Sequence, residues 1–184
     1  MKERAPKVIT SEVPFKGKKL EVVREGISWG SGRKSVVETI IHPGAVAILG
    51  ITKDGKVLME RQYRHSVRGY LYEIPAGTLE PGEDPASCAS RELLEETGYR
   101  ATSIKKVGAI YPAPGYSSEV LHLFVARAEK QGKQRLEDDE AISITLHTPT
   151  EALKLVEEGK AFDGKSALML HMALASPEIL SQAG

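Results

Sequence analysis

The sequence predicts an α/β (α+β) layered domain in which strands dominate and helices are interspersed. Three observations predict it. Short β-prone segments recur between Gly, Pro and Asp punctuation along the chain. Two helices carry full capping signatures. One segment, Ala45–Ile51, is an almost unbroken apolar run of the kind found in strands buried on both faces.

In chain order, Lys19–Trp29 and Lys34–Ile41 flank a Gly30-Ser31-Gly32 turn and read as a small N-terminal antiparallel sheet. So small a sheet needs a packing partner, either the rest of the chain or a second copy. His42-Pro43-Gly44 then breaks the pattern. Ala45–Ile51 and Val57–Tyr63 flank Lys53-Asp54-Gly55-Lys56, where Asp-Gly suits a left-handed hairpin turn. Further strand candidates are Tyr70–Ile74, Ile104–Tyr111, Val120–Ala128 and Ile142–His147. Asp84 caps a helix with Pro85 at its first position, and that helix runs to Thr97 with Gly98 just beyond. Thr148-Pro149-Thr150-Glu151 is a capping box leading Ala152–Glu158. A third helix, Ser166–Ala175, follows Asp163-Gly164.

Composition narrows the class. The chain has 184 residues, with 25 Lys+Arg balanced by 25 Asp+Glu, which argues against a general nucleic-acid coat or a polybasic membrane anchor. No apolar run approaches the ~20 residues of a membrane span, and the charged first ten residues lack a signal peptide's apolar segment. Cys88 is the single cysteine, so neither an internal disulfide nor an all-cysteine metal site is available. A soluble protein of the cytoplasm, without nucleic-acid or membrane partners, is the expectation. His42, His65, His122, His147 and His171 are scattered, none at metal-ligand spacing with another, and read as structural or exposed. Cys88 reads as a small buried residue.

The informative segment is Gly77–Tyr99. On a wheel at ~100° per residue, Ala86, Ala89, Leu93, Leu94 and Thr97 share one side, and Glu92, Glu95 and Glu96 share another. Spacings of three and four make those carboxylates neighbours, which weakens an isolated helix by tenths of a kcal/mol per pair. A solvated surface absorbs that cost; a divalent cation reverses its sign. Hard oxygen donors without thiolate or nearby histidine suit Mg²⁺, with Mn²⁺ as a substitute. Arg91 is placed to orient a carboxylate or hold it ionised. Ile74-Pro75-Ala76-Gly77 ends a strand in a turn, setting a glycine-bearing loop against the acidic face, where the Ala76 carbonyl could complete a metal shell.

Gly77, Glu83, Arg91-Glu92-Leu93, Glu95-Glu96 and Gly98 match every fixed position of the signature of the Nudix hydrolases, which this segment therefore resembles. Only Tyr99 departs, an aromatic where an aliphatic residue is usual. The resemblance implies an α/β/α sandwich with a mixed central sheet, and cleavage of a nucleoside diphosphate linked to another moiety. It implies that Glu92 and Glu96 are direct metal ligands, Glu95 a ligand or its supporting partner, and Ala76 a backbone ligand. Arg91 and Glu83 then form a supporting ion pair. Residues 42–184 make up the hydrolase domain on this reading, with 1–41 as N-terminal strands for dimerisation and substrate binding.

Two further stretches resemble the ADP-ribose pyrophosphatase subgroup. Tyr111-Pro112-Ala113-Pro114-Gly115-Tyr116 follows the helix, with Pro114 sixteen residues after Gly98. Glu60-Arg61-Gln62-Tyr63-Arg64 and Tyr72-Glu73-Ile74-Pro75-Ala76-Gly77 precede the signature. Glu73, Pro114 and Gly115 become substrate-site candidates through this likeness. On charge alone, Arg61, Arg64 and Arg68 are candidates to meet the diphosphate, and Trp29 or Tyr116 to stack on adenine. The acidic loop Glu137-Asp138-Asp139-Glu140 resembles the loop that supplies the general base; Glu140 is the first choice, with Asp138 and Glu119 as rivals, and Glu95 and Arg91 assist. The resemblance thus implies Mg²⁺-dependent hydrolysis of ADP-ribose to AMP and ribose 5-phosphate by a homodimer. The rivals are a related diphosphatase for nucleotide sugars, dinucleotide coenzymes or damaged nucleoside triphosphates, and a nucleotide-binding module without catalysis.

Overall fold

The structure is a computed structural model that describes residues 5–17, 20–136, 141–158, 162–176 and 178–179. Its chain divides into two compact units. One holds the described residues through Gly44 and takes in Tyr111–Val120; the other holds Ala45–Ile110 and the described residues from Leu121 onward.

The first unit is a three-stranded antiparallel sheet, β1 (Lys7–Lys16), β2 (Glu21–Ser28) and β3 (Lys34–Ile41), in that order. β2 and β3 are the two strands expected. β1 was not anticipated, because Pro14 interrupts the segment and no clean alternation marks it. On a sheet edge that proline is tolerated, since its missing N–H can face outward. Every residue of β1 is exposed, and its pairing with β2 shifts register between Val8 and Thr10 and between Glu12 and Phe15. Arg24 ties the three strands together through Glu12 and Glu38 at 3.1 and 2.8 Å. Tyr111–Val120 is stapled to β3. Ile40 N donates to Tyr116 O at 2.7 Å, and Ser118 N to Ile40 O at 3.0 Å.

The second unit contains β4 (Ala45–Ile51), β5 (Val57–Arg64), β6 (Gly69–Glu73), β7 (Ala76–Thr78), α1 (Pro85–Thr97), β8 (Tyr99–Ile110), β9 (Leu121–Lys130), β10 (Ile142–His147), α2 (Pro149–Glu157) and α3 (Gly164–Ala175). Strand order is β10-β5-β4-β9-β8. β4 lies parallel to β9 along its whole length and is buried throughout, as its apolar run predicts. The expected hairpin joins β4 to β5, with Gly55 at φ 78°. Beyond it the two strands pair only at Ile51 and Val57. β6 pairs with β5 and β7 with β4, so one bent strand serves both neighbours and breaks at Ile74-Pro75. The stretch read as a turn is therefore this break followed by a short strand. β8 begins at Tyr99, five residues earlier than its apolar pattern suggests, because Gly98 turns the chain directly out of α1.

Helices cover both faces of the sheet, as the expected sandwich requires. Leu49, Val57, Met59 and Val125 pack with Val156 of α2 and Met169 and Leu170 of α3. On the other face Val46, Ile48, Leu58 and Phe124 pack with Cys88, Ala89 and Leu93 of α1. Burial of each such large side chain contributes about 1.5–3 kcal/mol.

The helix ends are as the sequence reads. Asp84 accepts from Ala86 N and Ser87 N, both at 3.0 Å. Gly98 closes α1 at φ 69°, where an added Cβ would also lie 2.5 Å from Gly132 O. Residues 130–135 then wrap the carboxyl end of α1. Lys130 Nζ reaches Thr97 O, Gln131 N and Gly132 N reach Gly98 O, and Arg135 N reaches Glu95 O at 2.8 Å. Gln134 Nε2 donates to Glu96 O at 2.6 Å and to Ile142 O at 3.3 Å. The capping box of α2 is complete, and Asp163 caps α3.

Candidate active site

The site grows from α1 and the strand break beside it. Glu96 falls within ~20° of Ala89 on a 100° wheel. It therefore lies on the buried stripe with Leu93, not outside it with its acidic neighbours. It is only 4% exposed, and its Oε2 accepts from Ala76 N at 3.0 Å. A buried carboxylate is costly without such a bond. Glu92 lies against Gly77. A Cβ built there would sit 1.9 Å from Glu92 Cδ and 2.1 Å from Oε1, so a side chain at Gly77 would push Glu92 out of this position. The invariant-looking glycine of the signature thus has a physical cause: it lets backbone and carboxylate share one space.

Arg91 organises the other side. Its Nε and Nη2 each meet a Glu83 oxygen at 2.9 Å, a fork-on-fork pair, while Nη1 donates to Glu92 Oε1 at 2.8 Å and Glu95 Oε2 at 3.2 Å. Glu83 Oε2 also accepts from Glu80 N at 3.0 Å. The Arg91 guanidinium holds the Glu83 carboxyl down at about 2, against the upward push of burial, and the three glutamates raise Arg91 above its ordinary range. Cys88 is buried beneath this network and its thiol is pushed up to about 12, chiefly by desolvation, so it is inert as a nucleophile.

The donors are all hard oxygens: Glu92, Glu95, Glu96 and the Ala76 backbone. As candidate donors their chemistry suits a hard divalent cation. They do not form a closed cage. Among the described residues no three His, Cys, Asp or Glu side chains gather into a metal-holding group, and Arg91 Nη1 bridges Glu92 and Glu95.

Strand alternation sorts the arginines. Leu58 packs under α1, so Glu60, Gln62 and Arg64 share that face of β5. Arg64 makes a two-pronged bond to Glu73, at 2.8 and 2.9 Å, and its charge is held by Glu73 first, with Glu96 and Glu60 adding to the field. Arg61 points to the opposite face, where it stacks 3.9 Å over Tyr70. Arg68 is an exposed turn residue at φ 52°. Trp29, Pro114, Gly115, Tyr116 and Glu119 belong to the first unit. There Arg33 lies 5.1 Å from the Trp29 ring, and Pro114 and Gly115 are exposed in the turn that precedes Tyr116. Glu140 and Asp138 lie outside the described residues.

Sequence reading missed three groups that tie the site together: Gln134, Lys165 and Ser166. Gln134 lies between β9 and β10, Lys165 and Ser166 begin α3, and no local pattern announces any of them. Glu60 and Gln62 could have been found as companions of Arg64, because a polar residue at every second position of a buried strand marks one face.

Two outcomes follow from this geometry. Gly77→Ala displaces Glu92 and weakens Mn²⁺ binding at least ~10-fold in a titration followed by electron paramagnetic resonance; an unchanged affinity would remove Glu92 from the ligand set. Glu83 has a depressed folded-state pKa, so its contribution is complete above the ordinary 4.5 and is lost as pH falls toward about 2. Urea midpoints measured from about pH 5 downward therefore fall more steeply for the native protein than for Glu83→Gln.

Comparison with known proteins agrees with the geometry. The sequence profile described as NUDIX domain matches residues 41–168. An ADP-ribose pyrophosphatase of Bacillus subtilis (strain 168) is 40% identical over 169 residues, covering 91% of each chain. A methanol dehydrogenase activator of Bacillus methanolicus is 36% identical over 164 residues, 88% of this chain and 89% of its own. The crystal structure of an ADP compounds hydrolase superposes with a TM-score of 0.82 over 97% of this chain and 98% of that one, at 21% identity, a likeness of fold. With its signature helix built and braced as described, this chain belongs to the Nudix hydrolase family.

Proposed function

We propose that this chain hydrolyses the diphosphate bond of ADP-ribose, yielding AMP and ribose 5-phosphate, with Mg²⁺ as the cation and Mn²⁺ as a substitute. The observation that carries the reading is the desolvated Glu96 beside the Ala76 backbone, flanked by Glu92 and Arg91, within a chain that shares 40% of its residues with an ADP-ribose pyrophosphatase.

Glu92, Glu95, Glu96 and the Ala76 carbonyl are the residues that would hold the cation. When bound, the cation neutralises the diphosphate and makes an attacking water more acidic. Arg91 and Glu83 keep the carboxylates ionised and oriented. Arg64, fixed by Glu73, offers a forked donor to a phosphate oxygen, whereas Arg61, on the opposite face of β5 and stacked on Tyr70, is not assigned to it. Trp29, Pro114 and Gly115 are assigned to the adenosine and ribose ends. Glu140 is the proposed general base, taking the proton from water during attack on phosphorus. The N-terminal strands, residues 1–41, are proposed as the dimerisation piece. Val8, Ile9, Val13 and Phe15 of β1 are all at least half exposed, as suits a surface covered by a second copy. The cytoplasm is the proposed setting, in keeping with a sequence that uses a single cysteine and so builds no internal disulfide.

AMP release from ADP-ribose with Mg²⁺, compared with release from GDP-mannose, NADH and FAD, tests the substrate. ADP-ribose is expected to give the highest kcat/KM, and Glu96→Gln to lower kcat on the order of a hundredfold or more. No turnover of ADP-ribose would reject the reading. Sedimentation at micromolar concentration is expected to give a dimer, and a monomer would overturn the role given to the N-terminal strands.

A further inference from the structure

The geometry points to Lys165, at the start of α3, as a positioning residue that acts through Glu73 to hold the Arg64 guanidinium in its substrate-facing pose. Lys165 shares Glu73 Oε2 with Arg64 Nη2, and nothing in the signature helix refers to it.

The chain of contacts is continuous. Lys165 Nζ bonds Glu73 Oε2 directly and meets Asp163 Oδ1 at 3.0 Å. Glu73 is 2% exposed, and both of its oxygens are taken by Arg64, Oε1 by Nε at 2.8 Å and Oε2 by Nη2 at 2.9 Å. Neither of those bonds uses Nη1. A buried carboxylate shared by two cations has one orientation that satisfies both, so Lys165 fixes the Glu73 plane, and the plane fixes the guanidinium. Burial alone would raise the Glu73 carboxyl; Arg64 and Lys165 hold it at about 2, so the carboxylate stays charged.

Asp163, paired with Lys165, keeps this cluster of two cations and two carboxylates neutral, and it also caps α3, accepting from Ser166 N at 2.9 Å. The same helical turn also grips the strand that carries the site. Ser166 Oγ accepts from Ile74 N at 2.8 Å, two residues before Ala76. The amino end of α3 is therefore a brace for both Arg64 and the strand break, applied from the sheet face opposite α1.

The inference rests on the ADP-ribose reading only for its choice of substrate, and the test separates the two. The Arg64 Nε–H resonance of ¹⁵N-labelled protein reports the fork without any substrate. In the native protein it is expected to exchange slowly; in Lys165→Met it exchanges at least ~10-fold faster, and Lys165→Arg restores it. In parallel, Lys165→Met raises KM for ADP-ribose on the order of tenfold with kcat changed less than about twofold. In an Arg64→Ala background the same substitution leaves KM unmoved, because the two residues act as one unit. If Lys165→Met does not fold, Lys165→Gln, which keeps a neutral donor for Glu73, carries the same measurements. An unchanged Arg64 resonance, or a kcat loss without a KM change, overturns the inference. Native protein that turns over no ADP-ribose rejects the substrate reading instead, and the resonance still decides the role of Lys165.

Discussion

The contact between the acidic face of α1 and the backbone at Ala76-Gly77 is the constraint on which the rest depends. Glu92 occupies the volume a Gly77 side chain would need, and Glu96 is buried against the Ala76 amide. Neither arrangement is favourable in isolation: a buried carboxylate must be compensated, and like charges on one helical turn repel. The surrounding structure supplies the compensation. Asp84 and Gly98 fix the ends of α1, Leu93 and Ala89 anchor it to the sheet, and Arg91 spreads one positive charge over three carboxylates. Strain and repulsion held in place this way leave a braced, negatively charged surface on α1.

The sheet is shaped by the same need. A regular β-sheet would run β4 beside β5 along their length and leave no backbone break near α1. Here Pro75 has no N–H for a ladder and forces the bent strand to change neighbours. Ile48 N nonetheless finds Pro75 O at 2.8 Å, so the break costs few hydrogen bonds. The irregularity is placed where the Ala76 amide turns toward Glu96 of α1.

Much of this was legible in the residues, and for reasons that separate cleanly. Capped helices and the buried β4 run are local patterns, and α1, α2, α3 and β4 appear where those patterns place them. The signature spacing from Gly77 to Gly98 is likewise local, so the acidic helix and its glycine could be read together. β1 was hidden because an exposed edge strand has no apolar alternation to display. Glu96 was grouped with Glu92 and Glu95 by its charge, although its wheel angle sets it beside Ala89; only its bond to the Ala76 amide is a tertiary event. Arg61 and Arg64 looked equivalent in a list of basic residues, yet a period of two sends them to opposite faces. Lys165 is 92 residues from the Glu73 carboxylate it pairs with and Gln134 is 38 residues from the Glu96 carbonyl it caps, and no sequence period links them.

The clasp of residues 130–135 over the end of α1 ties two distant pieces of chain into a single cooperative element. The last carbonyls of the helix, which would ordinarily fray into water, are taken by Lys130, Gln131, Gly132, Gln134 and Arg135. The terminal turn that bears Glu95 and Glu96 therefore cannot open by itself; it must release that strap and the grip of Gln134 on Ile142 at the same time. Local fluctuation at the catalytic turn becomes as rare as a larger, sub-global opening. The protein thereby keeps rigid a stretch of helix that its own crowded negative charge would otherwise loosen.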